Sequence, residues 1–195
     1  MFLGIAVIVV VLIAIWGLKT FKERQDAMAA GEFGQAMTLY HAGKYSEAVT
    51  SLAKVQTYRW SRYANLAHLY EANSHLAMND LAKATSAAQR FIVGTKQNSL
   101  MRELGLITLA VLEERNSQCK EAIKHYAEAQ KIKGAFISRA FLGEARCAVE
   151  IGDLGPAIAA YRQLLKDQPE SALATYVTVQ IAELESKLAA LAEQK

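Results

Sequence analysis

The sequence has few of the residues that mark several common protein classes. It has only 2 prolines and 2 cysteines in 195 residues, and its net charge is +3. Two cysteines exclude a framework of several disulfides. A charge of +3 over this length makes no basic stripe, so we do not expect a nucleic-acid binder. A hydrophobic share of 52% with so little net charge excludes a disordered chain.

Catalytic motifs are also missing. There is no GxGxxG and no GxxxxGK[ST], and residues 31–34 (GEFG) lack the preceding strand that a phosphate loop needs. The four histidines form neither HxxxH nor HExxH. His68 and His75 share a predicted helix face two turns apart, where a solvated or hydrogen-bonded histidine is a better interpretation than a metal ligand. We therefore predict no enzyme, no metal site and no cofactor.

The apolar residues are concentrated at the N-terminus. Sixteen of residues 1–18 are hydrophobic, two are glycine and none is charged. As a helix this stretch is about 27 Å long, close to the ~30 Å hydrocarbon core of a bilayer. Trp16 and the basic residues Lys19, Lys22 and Arg24 follow the pattern of a membrane interface. We predict a transmembrane anchor over 1–18 and a basic juxtamembrane linker over 19–26.

Two alternatives to a retained anchor are a cleaved signal peptide and a buried core helix. No basic residue precedes the stretch, and it exceeds the ~7–15 residues of a signal-peptide core. The positive-inside rule places residues 19–195 in the cytoplasm, below a single-pass inner membrane span. A periplasmic orientation is the alternative, because so short a leading segment gives a weak signal.

From residue 27 the sequence repeats. Anchoring alanines occur at spacings of 36, 38 and 35 residues, and each has a second alanine twelve residues before it. A turn residue lies five positions before each anchor. The alanine pairs are Ala36/Ala48, Ala72/Ala84, Ala110/Ala122 and Ala145/Ala157, and the turn residues are Gly43, Asn79, Ser117 and Gly152. This pattern predicts antiparallel helix pairs that cross closely at the alanines and turn through a left-handed residue.

These residues resemble the tetratricopeptide repeat (TPR) family. Gly43-Lys44-Tyr45 and Gly152-Asp153-Leu154 match its turn, and Asp167-Gln168-Pro169 matches the end of its unit. The spacings exceed the family's 34 residues, and the first three repeats lack the final proline. The resemblance implies an all-α, TPR-like α-solenoid of about four helix pairs over 27–169.

The predicted helix pairs are 27–42 with 45–57, 60–78 with 81–93, 99–116 with 119–132, and 136–151 with 154–167. A C-terminal capping helix is expected over 170–195. Val177, Leu184 and Leu191 recur at seven, so a short oligomer seam is the alternative role for this helix. Cys119 and Cys147 lie on neighbouring predicted helices, where a disulfide is sterically feasible. Small buried packing residues are the alternative, and a disulfide would favour the periplasmic orientation.

The TPR resemblance implies a concave groove lined by the first helix of each pair. Its residues on this sequence are Phe33, Met37, Leu69, Asn73, Ile107, Val111, Arg139, Leu142 and Arg146. Only Asn73 fits the Lys/Asn clamp with which chaperone-binding TPR proteins hold a carboxylate, and Leu69 stands where its lysine would be. An apolar segment, such as an amphipathic helix, is a better expected ligand. The alternative is that these residues are simply core.

A second candidate surface lies between the first and second repeats. This junction patch consists of Tyr58, Arg59, Trp60, Arg62 and Tyr63, which are residue types enriched at interfaces. The alternative is that these residues form a wedge that fills the gap between the two repeats. We predict a membrane-anchored, non-catalytic scaffold or accessory subunit of a membrane complex, with protein partners and no nucleic acid or small-molecule substrate. A membrane-tethered adaptor that binds transient client polypeptides in the groove is the alternative function.

Overall fold

The computed structural model describes residues 2–193, with side chains described from residue 8 onward. This part of the chain is all-α and contains no strand. Its helices are α1 (Phe2–His41), α2 (Tyr45–Gln56), α3 (Arg62–Ala77), α4 (Leu81–Val93), α5 (Leu100–Arg115), α6 (Cys119–Ile132), α7 (Ile137–Glu150), α8 (Leu154–Asp167) and α9 (Ala174–Glu193). The chain divides into two compact units, residues 1–91 and 92–195.

The predicted helix pairs are confirmed, and their turns have the predicted backbone. Gly43, Asn79, Ser117 and Gly152 all have φ between 56° and 82°, in the left-handed region. In the first turn, the Lys44 N–H donates to the Leu39 carbonyl and the Gly43 N–H donates to the Tyr40 carbonyl. The other three turns repeat both bonds. This hydrogen-bonded helix end satisfies the last carbonyls of each first helix and starts the next helix.

The alanine pairs are buried between the helices. All eight are at most 1% exposed. In unit 1, Ala36 shares a core with Leu52 and Val55 of α2 and with Ala67 of α3. In unit 2, Ala145 and Ala157 lie in a core that α7 and α8 share with Val177 and Leu184 of α9. The small side chains let neighbouring helix axes approach, and the larger residues fill the seam between pairs.

A buried carboxylate caps one helix from a distance. Glu103 of α5 is 0% exposed, and its Oε1 accepts a hydrogen bond of 3.0 Å from the Phe136 N–H at the start of α7. Burial raises the pKa of Glu103, more than the backbone N–H groups of Phe136 and Gly134 lower it. A Cβ on Gly134 would lie 2.0 Å from Oε2 of Glu103. Glycine is therefore required for this approach.

Two features at the ends differ from the sequence prediction. The segment predicted as a linker, 19–26, is helical and belongs to α1, which runs without interruption into the first repeat. The last helix begins at Ala174 rather than directly after Pro169. It packs on α8 through Val177 and Leu184, as a cap does, while Leu188 and Leu191 beyond that contact are 45% and 52% exposed.

Within the described residues, the structure has no helix that is both long and apolar enough to cross a membrane. The span predicted at 1–18 includes Met1, which lies outside the described residues, and residues 2–7, whose side chains are not described.

Candidate functional site

In unit 1 the predicted groove residues divide between core and surface. The Phe33 ring packs against the rings of Tyr63 and Tyr70 of α3, with centroids 5.4 and 5.5 Å away. Leu69 is only 6% exposed. Met37 and Asn73 are half-buried. Because Phe33 and Leu69 are committed to packing, Met37 and Asn73 are the positions of this set that offer surface in unit 1.

In unit 2 the same division holds. Ile107 is 3% exposed, whereas Val111 and Leu142 are half-buried. Arg139 and Arg146 of α7 are exposed. Residues 139, 142 and 146 follow one face of a helix, since they are three and four positions apart. This face of α7 therefore presents two guanidinium groups around a partly covered leucine.

Arg146 is held in place by an ion pair with α5. Its Nε and one terminal nitrogen donate to the two carboxylate oxygens of Glu114, at 2.8 and 3.0 Å. The Tyr126 hydroxyl donates to Glu114 at 2.7 Å. Burial raises the pKa of Glu114, but the bonds from Arg146 and Tyr126 outweigh it and the net pKa is lowered. Burial and the Glu114 carboxylate raise the pKa of Tyr126. Arg146 therefore has a structural role whether or not it contacts a ligand.

A glycine makes room for the tyrosine of this network. A Cβ at Gly143 would lie 2.2 Å from the ring of Tyr126, whose side chain is fully buried. The helix α7 therefore lies directly against the aromatic ring of α6. Sequence reasoning missed this contact, although a glycine inside a helical pattern signals close packing.

The junction patch splits into two groups. Tyr58 and Tyr63 pack against the core of unit 1, as the wedge alternative predicted. Arg59, Trp60 and Arg62 are exposed, and Trp60 is 64% exposed. Only these three residues are available to a partner.

The predicted membrane-interface residues lie on an exposed part of α1. From Ile8 to Leu18 every residue is exposed, with Trp16 at 69%. Lys19, Lys22 and Arg24 are exposed as well. The alternative of a buried core helix is therefore wrong for residues 8–18, because these side chains are not packed in any core.

A disulfide joins α6 to α7. Cys119 and Cys147 are bonded, with their Cα atoms 4.9 Å apart, and both residues are buried. The Glu150 carboxylate lies 3.3 Å from the Cys119 sulfur. The alternative that these are merely small packing residues is replaced by a covalent link between the two helices.

One polar cluster in unit 1 was not predicted. Glu71 of α3 accepts hydrogen bonds from Gln56 of α2 and Arg90 of α4, each at 2.8 Å, and it contacts His68 at 3.3 Å. Burial raises the pKa of Glu71, but these bonds outweigh it and lower the pKa to about 2. The cluster ties three helices together. Its residues lie far apart in sequence, so no motif marks it.

The repeat is identified by comparison with known families. The model of the tetratricopeptide repeat-like domain matches residues 2–136, which is more than half of the chain. The chain belongs to the tetratricopeptide repeat family. A second tetratricopeptide repeat model matches residues 139–171. Comparison with curated proteins finds no matching sequence.

Solved structures share the TPR fold at low sequence identity. A structure of nearly identical TPR-like repeats from Podosopora anserina has a TM-score of 0.68 and 14% identity, and covers 86% of this chain and 90% of its own. The MamA protein has a TM-score of 0.61 and 17% identity over 76% of each chain. PilF of Pseudomonas aeruginosa has a TM-score of 0.57 and 18% identity, over 82% of this chain and 66% of its own. These similarities establish the fold alone.

Membership of the TPR family indicates a protein–protein interaction module. TPR proteins are generally non-catalytic scaffolds that bind protein partners. Among the described residues, no group of three or more metal-ligating side chains comes together, and this includes His68 and His75. The surface residues identified above are Met37, Asn73, Val111, Leu142 and the exposed arginines, and they are the candidates for partner contact.

Proposed function

We propose that this chain is a membrane-anchored TPR module that acts as a non-catalytic scaffold or accessory subunit of a membrane complex. The observation that carries the proposal is the first half of α1. Residues 8–18 are apolar and exposed on every side. A helix that is apolar all round is stable inside a protein core or in a membrane. Since no core covers these residues, a bilayer is the environment that suits them, with the span over 1–18.

The continuity of α1 favours a subunit over a loosely tethered adaptor. The helix passes from the apolar segment through residues 19–26 into the first repeat. The repeats of unit 1 would then sit at a set height above the bilayer instead of at the end of a flexible linker. A fixed height suits a permanent partner that is itself fixed in the membrane.

For the side of the membrane, we propose the oxidising, extracytoplasmic side, which is the periplasm in a bacterial inner membrane. The disulfide between Cys119 and Cys147 supports this orientation, because disulfides persist in oxidising compartments and are rare in the cytosol. The basic residues after the span favour the cytoplasm. A reporter fused after Lys195 distinguishes the two. Activity of a reporter that works only outside the cytoplasm supports the proposal, and activity only inside refutes it.

The groove adaptor is the second candidate function. It is favoured by the α7 face of unit 2, where exposed Arg139 flanks half-buried Leu142. An apolar strip with basic handles suits an amphipathic helix that carries acidic residues. This candidate predicts many partners bound in substoichiometric amounts, whereas the subunit proposal predicts one partner at constant stoichiometry.

Purification in mild detergent with quantitative mass spectrometry separates the two functions. One partner at a constant ratio supports the subunit role, and a spread of weakly bound clients supports the adaptor. The R139E variant tests the groove, because this exposed residue is not needed for the Glu114 network. K120E is the matched control, since Lys120 is an exposed cation on a second helix of the repeat. Loss of clients in R139E but not in K120E would favour the adaptor.

A further inference from the structure

The loop between α2 and α3 lies at the end of the helical repeats of unit 1 that is nearest to the apolar half of α1. It spans residues 57–61, after α2 has run back along α1. The Arg62 N–H donates to the Asp26 carboxylate of α1 at 3.2 Å. Ser61 lies close enough to the Asp26 carboxyl to lower its pKa. These contacts fix the loop at the height of Asp26 on α1.

The loop combines an exposed indole with exposed cations. Trp60 is 64% exposed, although the tyrosines near it in sequence, Tyr58 and Tyr63, pack against the core. Arg59 and Arg62 are exposed beside it in sequence. An amphipathic indole flanked by basic residues is the composition found at membrane–water interfaces.

The α1 face under this loop is basic as well. Lys19, Lys22 and Asp26 are spaced at three and four residues, so they share one face of the helix. Lys22 acts electrostatically on Asp26. Lys19 pairs with Glu23 at 3.9 Å with both side chains exposed, which is a weak interaction. The cations of α1 and of the loop therefore lie on the same side of unit 1.

The height of the loop is compatible with lipid headgroups. Asp26 lies eight residues after Leu18, or about 12 Å along a straight helix. The headgroup region extends about 5–7 Å beyond the hydrocarbon core. Transmembrane helices tilt by about 20° on average, and a loop one helix spacing (about 9 Å) from the axis then moves about 3 Å closer to the bilayer. The remaining gap of a few ångströms is within the length of the Trp60 and Arg59 side chains.

We propose that Trp60 and Arg59, together with Lys19, Lys22 and Arg62, form a second contact with the bilayer, in which the side chains bind anionic lipid headgroups. This contact rests on the proposed anchor at 1–18. It fixes the direction in which α1 tilts, and therefore the face that unit 1 turns toward a partner. It also gives the basic residues a role that does not depend on cytoplasmic topology.

The two tryptophans allow the anchor and the contact to be tested separately in the full chain. Variant W60F leaves Trp16 as the only tryptophan and reports the anchor. Variant W16F leaves Trp60 and reports the contact. Each is reconstituted in vesicles of phosphatidylethanolamine and phosphatidylglycerol and measured with a quencher attached to the lipid headgroup. A third variant, W16F/W60F/M78W, places the reporter at the α3–α4 turn, at the opposite end of unit 1, where Met78 is 39% exposed.

We expect a blue shift and quenching for Trp16 and Trp60, but neither for the reporter at position 78. The signal of Trp60 should decrease in R59E and in vesicles of phosphatidylcholine alone. Quenching of Trp16 with a fully water-exposed Trp60 would overturn the bilayer contact while leaving the anchor intact. Shielding of Trp60 only after a protein partner is added would likewise overturn it. Absence of quenching for both tryptophans would refute the anchor and the contact together.

Discussion

Reduction of the disulfide between Cys119 and Cys147 should loosen the second unit selectively. The bond joins residues 28 apart in sequence and closes one loop from the start of α6 to the last turn of α7. For a loop of this length, the chain-entropy relation gives about 3.6 kcal/mol of stabilisation at 25 °C. Both cysteines are at most 2% exposed, so the reduced thiols stay packed. The effect is therefore expected mainly in the unfolded chain.

Amide hydrogen exchange of the full chain in detergent, read by mass spectrometry, measures this effect locally. The amides of α6 and α7 are expected to exchange through unfolding of unit 2. The loss of 3.6 kcal/mol of stabilisation then corresponds to about 400-fold faster exchange after reduction. Peptides from α2 and α3 in unit 1 serve as the internal control and should not change. The double variant C119A/C147A is the matched control, and its exchange should be fast with or without reductant.

Two results would refute this reasoning. The first is equal exchange in α6 and α7 before and after reduction, in protein whose disulfide is shown by its mass. That result would mean that the loop is already constrained in the unfolded chain. The second is an equal acceleration in α2 and α3, which would show that the bond does not act on unit 2 alone.

Three further predictions concern packing and pH, and urea unfolding checks each. Replacement of Gly143 by alanine should lower the free energy of unfolding by about 1–3 kcal/mol, because the new Cβ meets the Tyr126 ring at 2.2 Å. Unchanged stability would contradict the close contact. The folded pKa of Glu71 lies below its ordinary value of 4.5, at about 2, so its stabilisation of about 3 kcal/mol is complete above pH 4.5 and is lost as the pH falls toward 2. Variant E71Q should not show this loss, and a wild-type-like pH profile would refute the role of Glu71. Burial raises the pKa of Glu103 above 4.5, so stability should fall as the pH rises from 4.5 through the folded pKa. Variant E103Q keeps an oxygen for the Phe136 N–H and should not lose stability as the pH rises. Variant E103A should lose about 1–3 kcal/mol of unfolding free energy, because the N–H is left without a partner. Equal profiles of stability against pH for wild type and E103Q would contradict the buried charge.

The repeat architecture could be predicted from the sequence because it depends on local rules. A close crossing of two helices requires a small residue, and a hydrogen-bonded helix end requires a residue that tolerates positive φ. Both requirements recur at set positions, so they appear in one sequence as a period. Ser117 was placed in the left-handed turn only by that period, since serine itself gives no such signal, and its φ is 56°.

The candidate surface could be predicted only in part. The repeat register placed Leu69 and Ile107 in the groove, but both residues are buried. Which face of a helix is covered depends on how its neighbours are rotated about their axes, and the register does not give that rotation. The start of α9 was placed too early, because Pro169 permits a first turn without requiring one. The network around Glu71 joins three helices through side chains whose pairing follows from packing, which no spacing in the sequence encodes.

The most direct test of the central claim is whether the chain stays in membranes through residues 1–18. Membranes from cells that express the full chain are washed with alkaline carbonate, and the chain is measured in pellet and supernatant. A variant with Val9→Arg and Val10→Arg is measured in parallel, because each arginine at mid-span opposes insertion by about 2.5–3.5 kcal/mol. We expect the wild-type chain to remain in the pellet and the variant to be released. Release of the wild-type chain, or equal retention of both, would refute the membrane anchor.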